Sequence, residues 1–119
     1  MNTKDFKIFI CCNKFQKLGA LVSKYSFEKI ENNIKSSQIE IIEVEKFKEF
    51  KNFFSKPIKD TDNFRIVTEE DLQSFTLLRF IPPQIQNYNG YSLVIDPDVF
   101  CVKKGVFDLI QKLDKKFTI

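Results

Sequence analysis

The run Phe6–Cys12, FKIFICC, is apolar at every position but one. A strand with one wet face alternates apolar and polar residues; a run that barely alternates is buried on both faces, as in a parallel sheet covered by helices on each side. One such strand near the start of a 119-residue chain predicts a layered α/β domain. The length supports one domain with one core, residues 1–119.

The rest of the chain alternates in kind. Residues 13–15 turn the chain. Residues 16–33 carry Leu18, Leu21, Val22 and Tyr25 at the spacing of one helix face, which predicts a helix packing those four side chains inward. Residues 38–44, QIEIIEV, read as a second strand. Residues 45–54 read as a helix with Phe47, Phe50, Phe53 and Phe54 on one side, a core or interface face. Residues 55–63, with Pro57, read as a loop, and 64–67 as a short strand. Thr68 is a suitable N-cap with Asp71 at the capping-box position, so a helix is predicted from there. Its shared face is Leu72, Phe75, Thr76, Arg79 and Phe80, and Pro82 and Pro83 end or kink it. Residues 87–90, NYNG, form a turn. Tyr91–Ile95 is a strand, 99–102 an apolar strand-like segment, and 105–116 a helix with Val106, Leu109, Ile110 and Leu113 on one face. The order strand, helix, strand, helix, helix, strand predicts an α/β sandwich with a mostly parallel sheet.

Composition narrows the function classes. Hydrophobic residues make up 43% and charged residues 29%, which excludes a disordered chain. The net charge of +3, with lysines spread along the helical stretches, gives no basic patch for nucleic acid. No stretch is long enough to span a membrane, and the first residues lack the pattern of a secretory signal, so the expected location is the cytoplasm. Cys11, Cys12 and Cys101 are odd in number and two are adjacent, so the expectation is three buried thiols in strands rather than a disulfide.

Asp96 and Asp98 carry the chemistry. They follow the strand YSLVI, and ligands of open α/β sheets collect at the carboxyl ends of strands. In extended backbone, residues two apart point to one side, and Pro97 biases Asp96 toward that backbone. Two convergent carboxylates are costly unless a positive charge answers them, and a hard divalent cation does so. The competing reading is an Asp-Pro-Asp turn with both acids solvated. Arg79 adds to the picture. Of 19 basic residues only Arg65 and Arg79 are arginine. A guanidinium on an otherwise apolar helix face grips phosphate or carboxylate bidentately. The alternative is an ion pair with a structural acid such as Asp96.

Residues 75–102, FTLLRFIPPQIQNYNGYSLVIDPDVFCV, resemble the donor-binding segment of family 8 glycosyltransferases and related enzymes of the GT-A fold. Those proteins carry a helix with Arg followed by an aromatic or Leu, a short turn, an apolar strand, D-x-D and a further apolar strand. Arg79-Phe80, Tyr88-Asn89-Gly90, Tyr91–Ile95, Asp96-Pro97-Asp98 and residues 99–102 match in turn. The resemblance implies a Rossmann-like sandwich of GT-A type, truncated relative to the family. It implies Mn²⁺ or Mg²⁺ on Asp98 and Asp96, and a nucleotide-sugar donor, a UDP-sugar. Asp96 would touch the metal or the ribose, Arg79 the diphosphate or sugar, and Cys11, Cys12 and Asn13 the nucleoside. Family members often carry an acidic residue where this chain has Cys11-Cys12-Asn13. They also take a further metal ligand, commonly His, from a second half, and this chain has no histidine. No catalytic residue is assigned. A non-catalytic binding or scaffold domain of the same fold is the alternative. A sheet cut at this point exposes an edge, so self-association or a partner chain is expected there.

Overall fold

The computed structural model describes residues 5–54, 57–60 and 63–113. Its centre is a three-stranded sheet of β1 (Phe6–Cys12), β2 (Ile39–Glu43) and β5 (Tyr91–Ile95), in the order β2-β1-β5. Both pairings are parallel, with Ile10 opposite Ile41 on one side and Ile95 on the other. A separate antiparallel hairpin joins β3 (Pro57–Asp60) to β4 (Asn63–Ile66). The helices are α1 (Lys17–Ile30), α2 (Pro82–Ile85) and α3 (Val106–Gln111), with several 3-10 turns between them. The chain is therefore a small α/β domain with a parallel sheet flanked by helical layers. Among the described residues no helix is long and apolar enough to cross a membrane.

The run in β1 is apolar because both faces are covered. Phe6, Ile8, Ile10 and Cys12 point into a core formed with Ala20 and Phe27 of α1 and Ile110 of α3. Phe9 and Cys11 point the other way, into a core with Val44, Phe54, Phe75 and Leu78. All six of these β1 side chains are fully buried. At about 25 cal/mol per Å² of apolar surface removed from water, burial of these six side chains is a large share of the hydrophobic driving force.

Helix α1 runs where the periodicity put it but is turned the other way. Leu18, Leu21, Val22 and Tyr25 are exposed, and Ala20, Ser23 and Phe27 are buried. The reason is close approach. A Cβ on Gly19 would sit 3.1 Å from the carbonyl oxygen of Pro97. The Ser23 hydroxyl donates to the Val99 carbonyl, and the Cys101 amide donates to Ser26 Oγ at 2.8 Å. The small face goes inward because a backbone segment lies against it, and the large apolar face is left outside.

Other expectations are corrected. Residues 45–54 form 3-10 turns, Val44–Lys46 and Lys48–Phe50, instead of an α-helix, although Phe47, Phe50, Phe53 and Phe54 do pack on the second core. The segment 55–63 contains β3 rather than being loop throughout, while residues 55, 56, 61 and 62 lie outside the described residues. The helix expected from Thr68 is a 3-10 helix, Ser74–Phe80. With three residues per turn, Phe75, Leu78 and Ile81 line up and are buried, whereas Leu72 and Phe80 are exposed. Residues 99–102 form no strand; they cross α1 as irregular chain, so Cys101 is buried outside any strand. In α3 the inward side chains are Val106, Phe107 and Ile110, and Leu109 and Leu113 face out. Residues 114–116 of the predicted helix lie outside the described residues.

The turn before β5 is as expected. Asn87 and Tyr88 take positive φ, and Gly90 sits at φ +81°. A Cβ on Gly90 would fall 2.1 Å from the Asp5 carbonyl oxygen, so only glycine lets β5 start beside β1.

Candidate functional site

The carboxyl ends of β1, β2 and β5 lie along one rim of the sheet. The register sets Cys12 beside Glu43, and Ile10 beside Ile95, so Asp96 follows level with Cys11. The chain leaves β1 toward α1 and leaves β2 toward the opposite core. The two exits part between β1 and β2, and the exit of β5 turns back toward α1.

Asp96 opens a turn rather than extending the strand. The Val99 amide donates to the Asp96 carbonyl at 3.2 Å, and Pro97 occupies the second turn position, where its fixed φ belongs. Asp96 and Asp98 therefore do not lie on extended backbone pointing to one side; the Asp-Pro-Asp segment is a turn, with Asp98 solvated and Asp96 paired. Asp96 does not stand free. Arg79 Nη2 donates to Asp96 Oδ1 at 2.8 Å. The Arg79 guanidinium also lies 5.9 Å from the Phe75 ring centroid, so the aromatic supports it from one side. Asp98 is exposed and has neither hydrogen bond nor ion pair among the described residues. The rim thus brings Arg79 and Asp96 together and leaves Asp98 two residues along.

Cys11, Cys12 and Asn13 lie at the end of β1 but are fully buried. Burial pushes the Cys11 thiol up to about 12, with Arg79 opposing and Asp96 adding to the rise. Burial likewise pushes Cys12 up to about 11, with Glu43 adding to it. Both are neutral thiols packed in core. Asn13 is fully used. Its Oδ1 accepts from the Phe15 and Gln16 amides at 3.0 and 3.1 Å. Its Nδ2 donates to the Asp71 carbonyl at 3.1 Å and to Ser74 Oγ at 3.2 Å. Gln16 Oε1 accepts from the Asn13 amide at 3.0 Å, completing a capping box. Asn13 ties the exit of β1 to the start of the Arg79 turn, and none of these three side chains offers surface to a nucleoside.

A second charged group at the rim was not among the predicted site residues. Where the exits of β1 and β2 part, Glu43 accepts from Lys17 and lies 3.4 Å from Lys46 Nζ. The hydrogen bond from Lys17 holds its carboxyl below the usual range. Beside it, Glu45 Oε1 accepts from the Lys14 amide at 2.8 Å, while its Oε2 is buried without a partner. The sequence signal was weak: Lys17 reads as a helix-surface residue and Glu43 as the polar side of a strand.

The donor set bears on a divalent cation. Among the described residues no three acidic, cysteine or histidine side chains cluster closely enough to hold a metal by themselves. Asp96 already answers a guanidinium, and Asp98 is a single exposed carboxylate. That set does not suit a resident ion held by protein alone. No protein-family model, curated protein or solved structure matches the chain.

Proposed function

We propose that the chain is the donor-binding part of a glycosyltransferase of GT-A type, or of a domain derived from one, and takes a nucleotide-diphosphate sugar at the β5 end of the sheet rim. The observation that supports the reading is the Arg79–Asp96 pair at the carboxyl end of a parallel strand, with the exposed Asp98 two residues further along the same turn. Asp98 would take the divalent cation that accompanies the diphosphate, Mn²⁺ or Mg²⁺. When bound, that ion supplies charge neutralisation to the departing diphosphate. Arg79 is at hand for a phosphate oxygen, since a phosphate competes well with a half-exposed carboxylate for a guanidinium. Asp96 then becomes free to join the cation or the ribose.

The test is calorimetric titration of UDP with and without Mn²⁺ on the wild type and Asp98→Ala. Metal-dependent binding lost in the variant supports the reading. Absence of UDP binding under both conditions ends it.

A second reading, a binding or scaffold domain without chemistry, is favoured by the Arg79–Asp96 pair itself. A site whose carboxylate is already neutralised is electrostatically at rest. It predicts nucleotide binding with no release of sugar from a UDP-sugar over extended incubation.

A further inference from the structure

The turn before β5 carries the one asparagine of the chain that precedes a glycine, Asn89-Gly90. An asparagine side-chain amide is a weak electrophile within reach of the next residue's backbone nitrogen. A side chain on that next residue hinders the approach, and glycine has none. Asn13 is fully buried, held by hydrogen bonds on both sides of its amide, and followed by Lys14. Asn32, Asn33 and Asn87 are exposed, but Asn33, Ile34 and Tyr88 follow them. Asn89 is exposed, belongs to no helix or strand, and its side chain has no hydrogen bond among the described residues. Its backbone amide donates to the Gln86 carbonyl at 3.1 Å, which leaves the side chain free to turn.

We propose that Asn89 is a site of spontaneous deamidation in the folded chain, and that the isoaspartate it yields unseats the start of β5. The Gly90 nitrogen bonds to Asn89 Cγ and gives up its proton, the Cγ–Nδ2 bond breaks, and ammonia leaves. A cyclic succinimide remains, and water, the sole co-reactant, opens it at either carbonyl. Attack at Cγ gives aspartate with the original backbone. Attack at the main-chain carbonyl gives isoaspartate, in which the chain runs on through Cγ. Either way a carboxylate replaces an amide, so the net charge of +3 falls by one.

The two products differ in what they do to the fold. Aspartate keeps the backbone, and position 89 is exposed, so the turn accepts it. Isoaspartate adds one carbon to the chain path, about 1.5 Å. The turn has no room for that on the β1 side. Gly90 sits at φ +81°, and even a Cβ there would fall 2.1 Å from the Asp5 carbonyl oxygen. The added length must push Gly90 and Tyr91 outward or along the strand. Tyr91 pairs with Phe6, packs on the core shared with α1, and accepts at its carbonyl from Gln86 Nε2 at 3.2 Å. These contacts fix the start of β5, and they are the ones lost. Asp96 lies beyond the other end of the strand, so the inference is independent of the ligand proposed there.

The experiment ages the full wild-type chain and Asn89→Gln side by side in warm, mildly alkaline buffer, folded and in urea. Glutamine closes its larger ring far more slowly, so it blocks the reaction while keeping an amide. Ion exchange follows the loss of charge, and fragmentation of the tryptic peptide from Phe80 to Lys103 locates it. The folded wild type is expected to accumulate a more acidic species modified at Asn89 ahead of every other asparagine, and Asn89→Gln to keep its charge over the same period. The purified isoaspartate form is expected to exchange the amides of residues 91–93 roughly tenfold faster than the wild type, while Asn89→Asp exchanges them at the wild-type rate. A folded wild type whose Asn89 stays intact, whether or not urea releases the reaction, overturns the site. An isoaspartate form with wild-type exchange at 91–93 overturns the unseating of β5. So does an Asn89→Asp variant that loosens these amides as much as isoaspartate, because the added charge and not the added carbon would then be the cause.

Discussion

Arg79 Nη2 and Asp96 Oδ1 stand 2.8 Å apart, joining the 3-10 helix Ser74–Phe80 to the exit of β5. Both side chains are well exposed, at 47% and 39%. An ion pair so placed contributes about 0–1 kcal/mol, since water screens it and two side chains must be ordered. A double-mutant cycle with Arg79→Met and Asp96→Asn, followed by urea unfolding, should give a coupling of less than about 1 kcal/mol. A coupling well above that would mark the pair as structural and count against release of Arg79 to a ligand.

Gly19 sets the distance between α1 and the turn that holds the two aspartates. A Cβ there meets the Pro97 carbonyl oxygen at 3.1 Å, tighter than ordinary contact. Gly19→Ala gains about 1 kcal/mol of helix propensity and spends most of it on this contact, so its stability should stay within about 1 kcal/mol of wild type. Gly19→Val adds two more carbons against backbone and should cost about 2–3 kcal/mol. The same variant should displace Pro97, visible as shifts of the Asp96 and Asp98 amide resonances. Unchanged resonances would refute the coupling.

Glu31 caps a helix remote in sequence. Its Oε1 accepts from the Gly105 amide at 2.7 Å and the Val106 amide at 3.0 Å, and the side chain is buried. Glu31→Ala leaves two amides without their acceptor and should cost about 2–3 kcal/mol, while Glu31→Gln keeps a neutral acceptor and should cost less. Urea unfolding measures the order of the two variants. Hydrogen exchange should quicken first at Gly105 and Val106.

The thiols should be inert in the native state. Burial raises Cys11 to about 12, Cys12 to about 11, and Cys101 in the same direction. At pH 8 all three are neutral and enclosed, so Ellman's reagent should find no fast thiol until denaturant exposes all 3. The sign for stability follows. Below the ordinary thiol range both states are protonated and nothing is lost. As pH rises from about 9 toward 11, the unfolded chain releases protons that the folded chain keeps, so stability falls. A rise in the unfolding free energy over that range would contradict this.

The sheet was legible in the sequence because its signals are local. β1, the turn at Gly90 and β5 each follow from short runs of residue type. The facing of α1 was not. Its larger apolar stripe is the wrong guide, because the choice of inward face depends on Gly19, Ser23 and Ser26 meeting residues 97–101, far away in sequence. The rotation in 74–80 was hidden for a related reason. Phe75, Leu78 and Ile81 bury at a period of three, and a period of 3.6 selects Leu72 and Arg79 instead. At the rim, Arg79 beside Asp96 could be named as one of two readings, since charge and spacing suggest it. The role of Asn13 had a readable sign in Asn13-x-x-Gln16, but its bonds to Asp71 and Ser74 arise only from the tertiary fold.

The order β2-β1-β5 has a consequence for biosynthesis. The central strand is made first, and the strand that closes its second side, Tyr91–Ile95, is made near the end of the described chain. At about 5–20 residues per second, β1 spends on the order of ten seconds emerging or emerged with one edge unpaired. During that interval FKIFICC has β2 and α1 beside it but lacks its β5 neighbour and the apolar contacts of residues 75–81. A ribosome stalled before Tyr91 would release a product prone to aggregate, and expression yield should depend on chaperones that hold nascent chains rather than on the stability of the finished fold.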